Sequence, residues 1–254
     1  MPVLTTKRKL HIADRPRSTV YTVFPIVSRA RHIVSHELLR TPASLSEPGT
    51  AYEDETGGGG LVERFLLHEC SEIFDFFYEL KGSIESTGSY YYELELVSLC
   101  FPTVVRELIR LNDSLHNMGV SLNLCIARMP EGFGRPSKSF YQGLYSLLDA
   151  GVDLSFRGLD VCDALNLTNA NVHSIFSCLR VDAVELGISS SEEDFDLSLY
   201  MQRATDLTGS LQDNGVPVMV MRVDSSWAES LVMALPACLF QGKATKLGLH
   251  TAGV

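Results

Sequence analysis

Long apolar runs are absent from this sequence, and so is a cleavable leader. No run approaches the roughly 20 apolar residues that a membrane-spanning helix requires. The first twenty residues are basic but lack the apolar stretch of a secretory signal. We therefore expect a cytoplasmic protein without membrane contact, with a basic N-terminal segment over residues 1–18 ahead of one folded domain over residues 19–254.

Positive charge is scarce as well. The chain has 21 Lys and Arg residues against 31 Asp and Glu residues, which gives a formal net charge of −10. A surface of this sign disfavours broad contact with the phosphate backbone of nucleic acids. We therefore predict no direct nucleic-acid partner, although net charge does not exclude local basic patches.

Cysteine pairs and the short motifs of common active sites are also missing. Six cysteines are scattered through 254 residues without a CxxC spacing, which argues against a disulfide scaffold or a zinc module and favours reduced thiols. No GxGxxG follows a predicted strand, and the residues around the histidines show no Ser-His-Asp spacing. These absences exclude the most easily recognised dinucleotide, zinc and serine-hydrolase sites.

The sequence does contain a regular alternation of strand-like and helix-like segments. Near-continuous apolar segments are typical of parallel strands that are covered on both faces. Strands are predicted at residues 19–27, 33–39, 90–99, 120–127, 152–156, 181–188, 216–223 and 237–240. Helices are predicted at residues 61–80, 102–116, 137–150, 169–179, 192–213 and 226–235. Residues 41–60, which end in four glycines, are predicted to form a flexible loop.

This number of strands favours one architecture over another. Roughly eight strands with short connections in a chain of this size favour an α/β fold of the (β/α)8 barrel type. An open doubly wound sheet is the alternative, which the missing GxGxxG motif disfavours.

Four segments share order and spacing with the motifs of one bacterial family. Residues 23–27 (VFPIV) and 36–40 (HELLR) are similar to YQPIV and EALLR. Residues 147–156 (LLDAGVDLSF) are similar to the approach to DDFG, and residues 179–187 (LRVDAVELG) to LPVDxLKID. Residues 215–224 (GVPVMVMRVD) with 238–242 (CLFQG) are similar to AEGVE and then QGY. Together these segments resemble the EAL domain, the family of cyclic di-GMP phosphodiesterases.

The resemblance implies a fold and an organisation. EAL domains are TIM-like (β/α)8 barrels whose first strand runs antiparallel to the others, so the same is expected here. The resemblance covers nearly the whole chain. The usual length of the domain leaves no room for an attached sensor or cyclase domain, so a stand-alone protein is expected.

The resemblance also implies where a metal-assisted phosphodiesterase site would lie. Such a site holds divalent ions with carboxylates and an Asn. A vestigial ligand pocket is implied at Glu37, Arg40, Asp224 and Gln241. The substituted positions are Cys125 for a metal-binding Glu, Arg157 and Gly158 for the paired aspartates, Glu185 for the catalytic lysine and Met221 for the first Glu of AEGVE. The strand predicted at residues 90–99, which should carry the Asn, has none. We therefore predict no catalytic residue, metal or cofactor.

These residues also have ordinary structural interpretations. Glu37 and Arg40 are three residues apart, and an ion pair at the barrel mouth explains them as well as ligand contact does. Gln241 at a strand end can cap backbone groups, and Cys125 and Met221 are typical packing residues.

The function predicted from these substitutions is regulation without catalysis. The chain is expected to be a degenerate, inactive EAL-like protein that controls motility, adhesion or biofilm by binding another protein, such as a transcription regulator. A homodimer is a further expectation. Two alternatives stay open, namely a cyclic di-GMP receptor that does not hydrolyse its ligand and a weak residual phosphodiesterase. The substituted pocket disfavours cyclic di-GMP as a ligand.

Overall fold

Eight strands close into a barrel in the order in which they occur along the chain. The computed structural model describes residues 19–42, 59–81, 88–127, 136–189, 191–237 and 239–243. The strands are β1 (Thr19–Ser28), β2 (Ile33–Pro42), β3 (Gly88–Leu94), β4 (Val120–Ile126), β5 (Asp153–Arg157), β6 (Cys178–Asp182), β7 (Val218–Met221) and β8 (Leu239–Gln241). This closed barrel confirms the predicted fold class.

Helices connect most of these strands. The α-helices of the described residues are α1 (Gly59–Leu80), α2 (Pro102–His116), α3 (Lys138–Asp149), α4 (Val161–Leu165), α5 (Asn169–Ile175), α6 (Leu197–Asn214) and α7 (Ser226–Ala234). Two 3-10 helices, Leu96–Cys100 and Ala183–Leu186, follow β3 and β6. No helix in the described ranges is both long enough and apolar enough to span a bilayer.

Strand β1 runs against the rest of the barrel. It pairs antiparallel with β2 on one side and with β8 on the other, whereas all the other neighbouring strands are parallel. The beginning of β1 therefore lies at the same end of the barrel as the carboxyl ends of β2 to β8. We call this end the mouth.

Side chains alternate between two environments along each strand. Residues such as Leu122 and Leu124 of β4 face outward and join the core between strands and helices. A smaller cluster fills the inside of the barrel and consists of Ile26, Tyr91, Cys178, Met219 and Met221. The remaining buried positions on the inside are mostly polar, which is unusual for a packed barrel core.

Two predicted elements differ from the structure in ways that affect the site. The strand predicted at residues 90–99 ends at Leu94 and turns into the 3-10 helix Leu96–Cys100. The helix predicted at residues 169–179 ends at Ile175, and β6 begins at Cys178 instead of residue 181. Ser177 causes this early change, because its backbone N–H and its hydroxyl both donate to the carbonyl of Leu154 on β5.

Both ends of the loop predicted at residues 41–60 belong to regular elements in the structure. β2 continues to Pro42, and α1 begins at Gly59 within the glycine run. The predicted mobility of the intervening residues 43–58 falls outside the described residues, as does the predicted basic segment 1–18.

Candidate functional site at the barrel mouth

The mouth is lined by charged side chains from neighbouring strands. Strand alternation turns residues at the ends of β3, β5, β6 and β8 toward the barrel axis, and Arg222 follows β7 directly. We call this set the mouth network, and it consists of Glu93, Arg157, Asp182, Arg222 and Gln241. A second charged pair, Glu37 and Arg180, lies deeper inside the barrel.

The deeper pair joins opposite sides of the barrel. The guanidinium of Arg180 on β6 is fully buried and donates from Nη2 to the carboxylate of Glu37 on β2. Burial disfavours its charge, but the neighbouring Cys125 and Glu37 outweigh that effect and raise the pKa of Arg180. Its Cζ also lies 5.7 Å from the ring centroid of Tyr91, a cation–π distance. Arg180 therefore stays charged and cross-links the barrel interior.

The mouth network forms a continuous chain of ion pairs above this layer. Arg157 Nη1 donates to Glu93 at 2.9 Å and 3.1 Å, and its Nη2 donates to Asp182 Oδ2 at 2.6 Å. Burial opposes the charge of Arg157, but the hydrogen bond to Asp182 and the charge of Glu93 raise its pKa above the ordinary value. One arginine thus bridges carboxylates of β3 and β6.

Arg222 extends this chain to β7 and β8. Its Nε donates to Asp182 Oδ1 at 2.9 Å, and its backbone N–H donates to Gln241 Oε1 at 3.2 Å. The backbone of Arg222 has φ +57°, a left-handed conformation that costs a non-glycine residue roughly 1–2 kcal/mol. Strained residues of this kind concentrate at functional sites, where the surrounding contacts hold them.

The donor set of the mouth does not fit a pair of divalent cations. Glu37, Glu93 and Asp182 each contact an arginine, so a metal ion would have to displace a guanidinium from every one of them. No group of three His, Cys, Asp or Glu side chains among the described residues is arranged to hold a metal ion. We derive no catalytic step through a metal at this site.

Two residues predicted for the site lie elsewhere. Arg40 is on the outer face of β2, where its Nη1 pairs with Glu69 of α1 at 3.1 Å and its guanidinium lies over the Phe65 ring. The interpretation of Glu37 and Arg40 as an ion pair is therefore wrong, because strand alternation puts them on opposite faces. Glu185 lies on the 3-10 helix beyond the end of β6, so it does not point into the barrel as a catalytic lysine on that strand would.

The other predicted positions do lie at or near the mouth. Cys125 is fully buried on the inner face of β4, and burial raises the pKa of its thiol. Met221 is buried in the inner cluster. Gly158 follows β5 with φ +131°. Asp224 lies in the loop after β7, where its carboxylate accepts from the backbone N–H of Lys243 at 2.9 Å.

Four charged residues of the site escaped the sequence analysis, namely Glu93, Arg180, Asp182 and Arg222. The signal for two of them was present in the segment Leu179-Arg180-Val181-Asp182. This segment alternates apolar and charged residues with the period of a strand. It is at least as similar to LKID as residues 184–187 (VELG), which the resemblance had matched to that motif. The structure supports this earlier register, which puts a cation and a carboxylate of β6 inside the barrel.

No family model matches the sequence, and no curated protein matches it. Solved structures do share its fold. Klebsiella pneumoniae BlrP1, in a complex with calcium and cyclic di-GMP, matches with a TM-score of 0.63 and 16% identity over 91% of this chain and 56% of that chain. The PaMucR phosphodiesterase, in a complex with cyclic di-GMP, matches with a TM-score of 0.61 and 14% identity over 89% of this chain and 94% of that chain.

A third match is the EAL enzyme Bd1971 with cAMP and cyclic di-GMP bound, with a TM-score of 0.59 and 12% identity over 90% of this chain and 61% of that chain. The present chain thus spans little more than half the length of BlrP1 and about three fifths of Bd1971. At these identities the matches show the fold alone.

These matches correct one prediction and confirm another. The prediction that this chain is not an enzyme is wrong on this comparison, because the structures that share its fold include a phosphodiesterase and an EAL enzyme. The fold gives no ground for excluding catalysis. The resemblance that the four sequence motifs indicated is confirmed at the level of structure: the described chain has the fold of the EAL-domain phosphodiesterases.

Proposed function

We propose that this chain is a bacterial regulatory protein of cyclic di-GMP signalling that acts in the cytoplasm by binding another protein. The observation that carries the proposal is the pairing of Glu37, Glu93 and Asp182 with arginines across the barrel. Glu37 and Asp182 are buried, and breaking a buried ion pair leaves an uncompensated charge, so these two carboxylates resist recruitment by a new ligand. Recognition then falls to the outer surface.

The outer surface offers apolar side chains for such recognition. Ile33 and Val34 are about half exposed at the tip of the β1–β2 hairpin, at the end opposite the mouth. A second group is exposed after β6 and at the start of α6, where Leu197 is 61% exposed. Exposed apolar groups of this kind mark protein-binding surfaces more often than isolated ones do.

A direct binding experiment tests this proposal. The full chain is immobilised and exposed to the cytoplasmic extract of its own bacterium, and a recovered protein is then purified and titrated against the chain in solution. We expect a partner with a dissociation constant in the micromolar range or tighter, a value typical of specific signalling complexes. An unrelated barrel protein, immobilised in the same way, is the control. If the chain recovers no protein that this control does not also recover, the proposal is contradicted.

Binding of cyclic di-GMP at the mouth is a second candidate, and Arg222 favours it. This side chain is 56% exposed, and its Nε is the one side-chain nitrogen with a partner among the described residues, namely Asp182. The terminal nitrogens of a guanidinium match the geometry of a phosphate. Calorimetry with cyclic di-GMP should then show binding that Arg222→Ala weakens and that Arg110→Ala, an exposed change on α2, leaves unchanged.

The same protein preparation decides whether the nucleotide is also consumed. Cyclic di-GMP is incubated with the full chain and Mg²⁺ or Mn²⁺, and the linear dinucleotide product is quantified. Turnover that Arg222→Ala abolishes would replace protein binding by phosphodiester hydrolysis as the function of this chain. Heat of binding without product would support the receptor candidate.

A further inference from the structure

An apolar surface patch lies beside the mouth. Val184 and Leu197 are each 61% exposed, and Met201 is 56% exposed. Val184 belongs to the 3-10 helix after β6, and Leu197 and Met201 lie one turn apart on the same face of α6. Leu199 and Tyr200 of α6 approach Gly187 at the end of the 3-10 helix, so the two elements are in contact. We give the name α6 patch to Val184, Leu197 and Met201.

The surroundings of the α6 patch are acidic. Glu192, Glu193, Asp194 and Asp196 are all exposed just before α6, and the sequence has no Lys, Arg or His between Arg180 and Arg203. Within the described ranges, no ion pair involves these four carboxylates. A partner for this surface should therefore be both apolar and positively charged. A second copy of the same patch would bring like charges together and is disfavoured.

The chain itself contains a segment with this chemistry. Residues 1–18 carry five Lys and Arg residues against one acidic residue, Asp14, although the whole chain has a net charge of −10. Apolar side chains are interspersed among these charges, including Val3, Leu4, Leu10 and Ile12. The segment thus complements the α6 patch in charge and in apolar character.

The point of attachment puts this segment within reach. Because β1 is antiparallel, the chain before Thr19 enters the fold at the mouth, the same end at which β6 gives way to the α6 patch. β1 and β6 are three strands apart around the barrel, a distance of about 14 Å along its wall. In general, a chain of this many residues without fixed structure has a root-mean-square span of roughly 20–25 Å, which exceeds this distance.

From these observations we infer that residues 1–18 dock on the α6 patch of their own chain and cover it. The basic side chains contact the carboxylates that precede α6, and the apolar side chains contact Leu197 and Met201. If this inference holds, a partner protein under the proposed function would bind at Ile33 and Val34, which stay exposed at the opposite end of the barrel.

Zero-length cross-linking of the full chain tests this contact. Carbodiimide joins an amine to a carboxylate only where the two touch, so Lys7 and Lys9 should couple to Glu192, Glu193 and Asp194. Equal amounts of unlabelled and nitrogen-15-labelled chain are mixed, and mass spectrometry then separates couplings within one chain from couplings between two chains. We expect couplings within one chain that fade as the ionic strength rises.

Matched surface variants show whether the apolar contact matters. Leu197→Ser with Met201→Ser should lower the yield of these couplings about tenfold, because the exposed patch loses most of its apolar area. Ile33→Ser with Val34→Ser removes equally exposed apolar side chains at the opposite end and should leave the yield unchanged. Couplings of Lys7 and Lys9 to other carboxylates, couplings between chains, or a yield insensitive to the patch variant would each overturn the inference.

Hydrogen exchange gives an independent measurement. Replacing Lys7, Arg8 and Lys9 together by Glu reverses the charge of the segment without touching the barrel. The amides of residues 197–203 should then exchange faster than in the unchanged chain, because α6 loses its cover. Equal exchange in the two proteins would contradict the inference.

Discussion

Arg180 is the largest fully buried side chain among the described residues. It is fully buried and bound to Glu37, yet its Nε and Nη1 find no hydrogen-bond acceptor among the described residues. A buried ion pair with unsatisfied donors contributes little net stability compared with an apolar pair of similar size. Removing only one partner is costly, because the other charge stays in a medium of low polarity.

This argument predicts strongly non-additive effects. Arg180→Met alone should lower the free energy of unfolding by about 3–5 kcal/mol, since Glu37 then stays buried without its cation. The double variant Glu37→Met with Arg180→Met should lose much less, within about 2 kcal/mol of the original protein. Urea titrations of the original protein, of each single variant (Glu37→Met and Arg180→Met) and of the double variant measure the difference. If the loss of unfolding free energy in the double variant equals the sum of the losses in the two single variants, Glu37 and Arg180 are not coupled.

Glu69 carries a second prediction at this scale, through its pKa. This side chain of α1 is buried, accepts a hydrogen bond from the hydroxyl of Tyr92 and pairs with Arg40. Burial nevertheless dominates and raises the pKa of Glu69 above its usual value. The native state thus holds this proton more tightly than the unfolded chain does, so its contribution to stability is present at acid pH and lost as the pH rises through the raised pKa.

Glu69→Gln should remove this pH dependence. The stability of the original protein relative to the variant should fall as the pH rises from about 4.5, because the original protein must then ionise a buried carboxyl. Chemical denaturation at acid and neutral pH measures the difference, with the exposed change Glu193→Gln as the control. A relative stability that rises with pH would mean that Arg40 outweighs burial at this site.

At the scale of single elements, the agreement between sequence and structure follows local signals. α2 occupies the predicted residues 102–116, because Pro102 starts it and apolar residues recur at helical spacing. The first two residues of β6 were assigned to the end of a helix, because Val172, Ile175, Phe176 and Leu179 also have helical spacing. A helix that continues to residue 179 and a strand that begins at Cys178 are distinguished by the hydrogen bonds of Ser177 to β5. These bonds form only in the tertiary structure, so the local sequence does not show them.

The packing of α3 rests on one glycine. A Cβ at Gly143 would come within 2.1 Å of the carbonyl oxygen of Leu99, which belongs to the 3-10 helix after β3. The backbone of α3 therefore approaches this helix more closely than any side chain permits.

Gly143→Ala should accordingly lower stability by about 2–3 kcal/mol, as overpacked core sites do. Gly209 is the matched control, because it lies in α6 and a methyl group added there would have no neighbouring atom within 4 Å. Gly209→Ala should raise stability by about 0.5–1 kcal/mol through helix propensity and a less flexible unfolded chain. Thermal and urea unfolding give both values, and a harmless Gly143→Ala would show that α3 can shift away from the 3-10 helix.

At the scale of the whole molecule, the barrel was predictable and its ion pairs were not. The eight strands and the barrel follow from apolar periodicity along the chain, and the antiparallel β1 follows from the resemblance to the EAL domain. The mouth network joins Glu93, Arg157, Asp182 and Arg222, which are up to 129 residues apart, counted from 222 − 93. Such contacts depend on which strands become neighbours and on which face each side chain points to, and a one-residue error in register reverses that face.

Closure of the barrel depends on Gly242. A Cβ there would lie 2.3–2.5 Å from backbone atoms of Val223, so the end of β8 and the end of β7 touch through their main chains. Gly242→Ala should lower stability by about 3 kcal/mol or more, or prevent folding, because neither backbone can move without opening the barrel.

Gly215→Ala separates this contact from simple backbone strain. Gly215 has φ +66° but open space around it, so its replacement should cost only about 1 kcal/mol. Urea unfolding of the two variants gives the comparison, and hydrogen exchange of the β1 and β8 amides gives a second readout if Gly242→Ala folds. If Gly242→Ala and Gly215→Ala lower the free energy of unfolding equally, the close contact with Val223 adds nothing to the cost of backbone strain.

The seam between β1 and β8 also determines how the molecule would respond to mechanical tension. Among the described residues, the two strands pair through three positions, with Ile26, Val27 and Ser28 opposite Gln241, Phe240 and Leu239. Because the strands are antiparallel, the start of β1 and the end of β8 both point toward the mouth. A chain pulled at both of these points would have its three rungs opened one after another, as a zipper opens, and never sheared together. The domain should therefore yield at this seam under small forces, whatever its resistance to heat or urea.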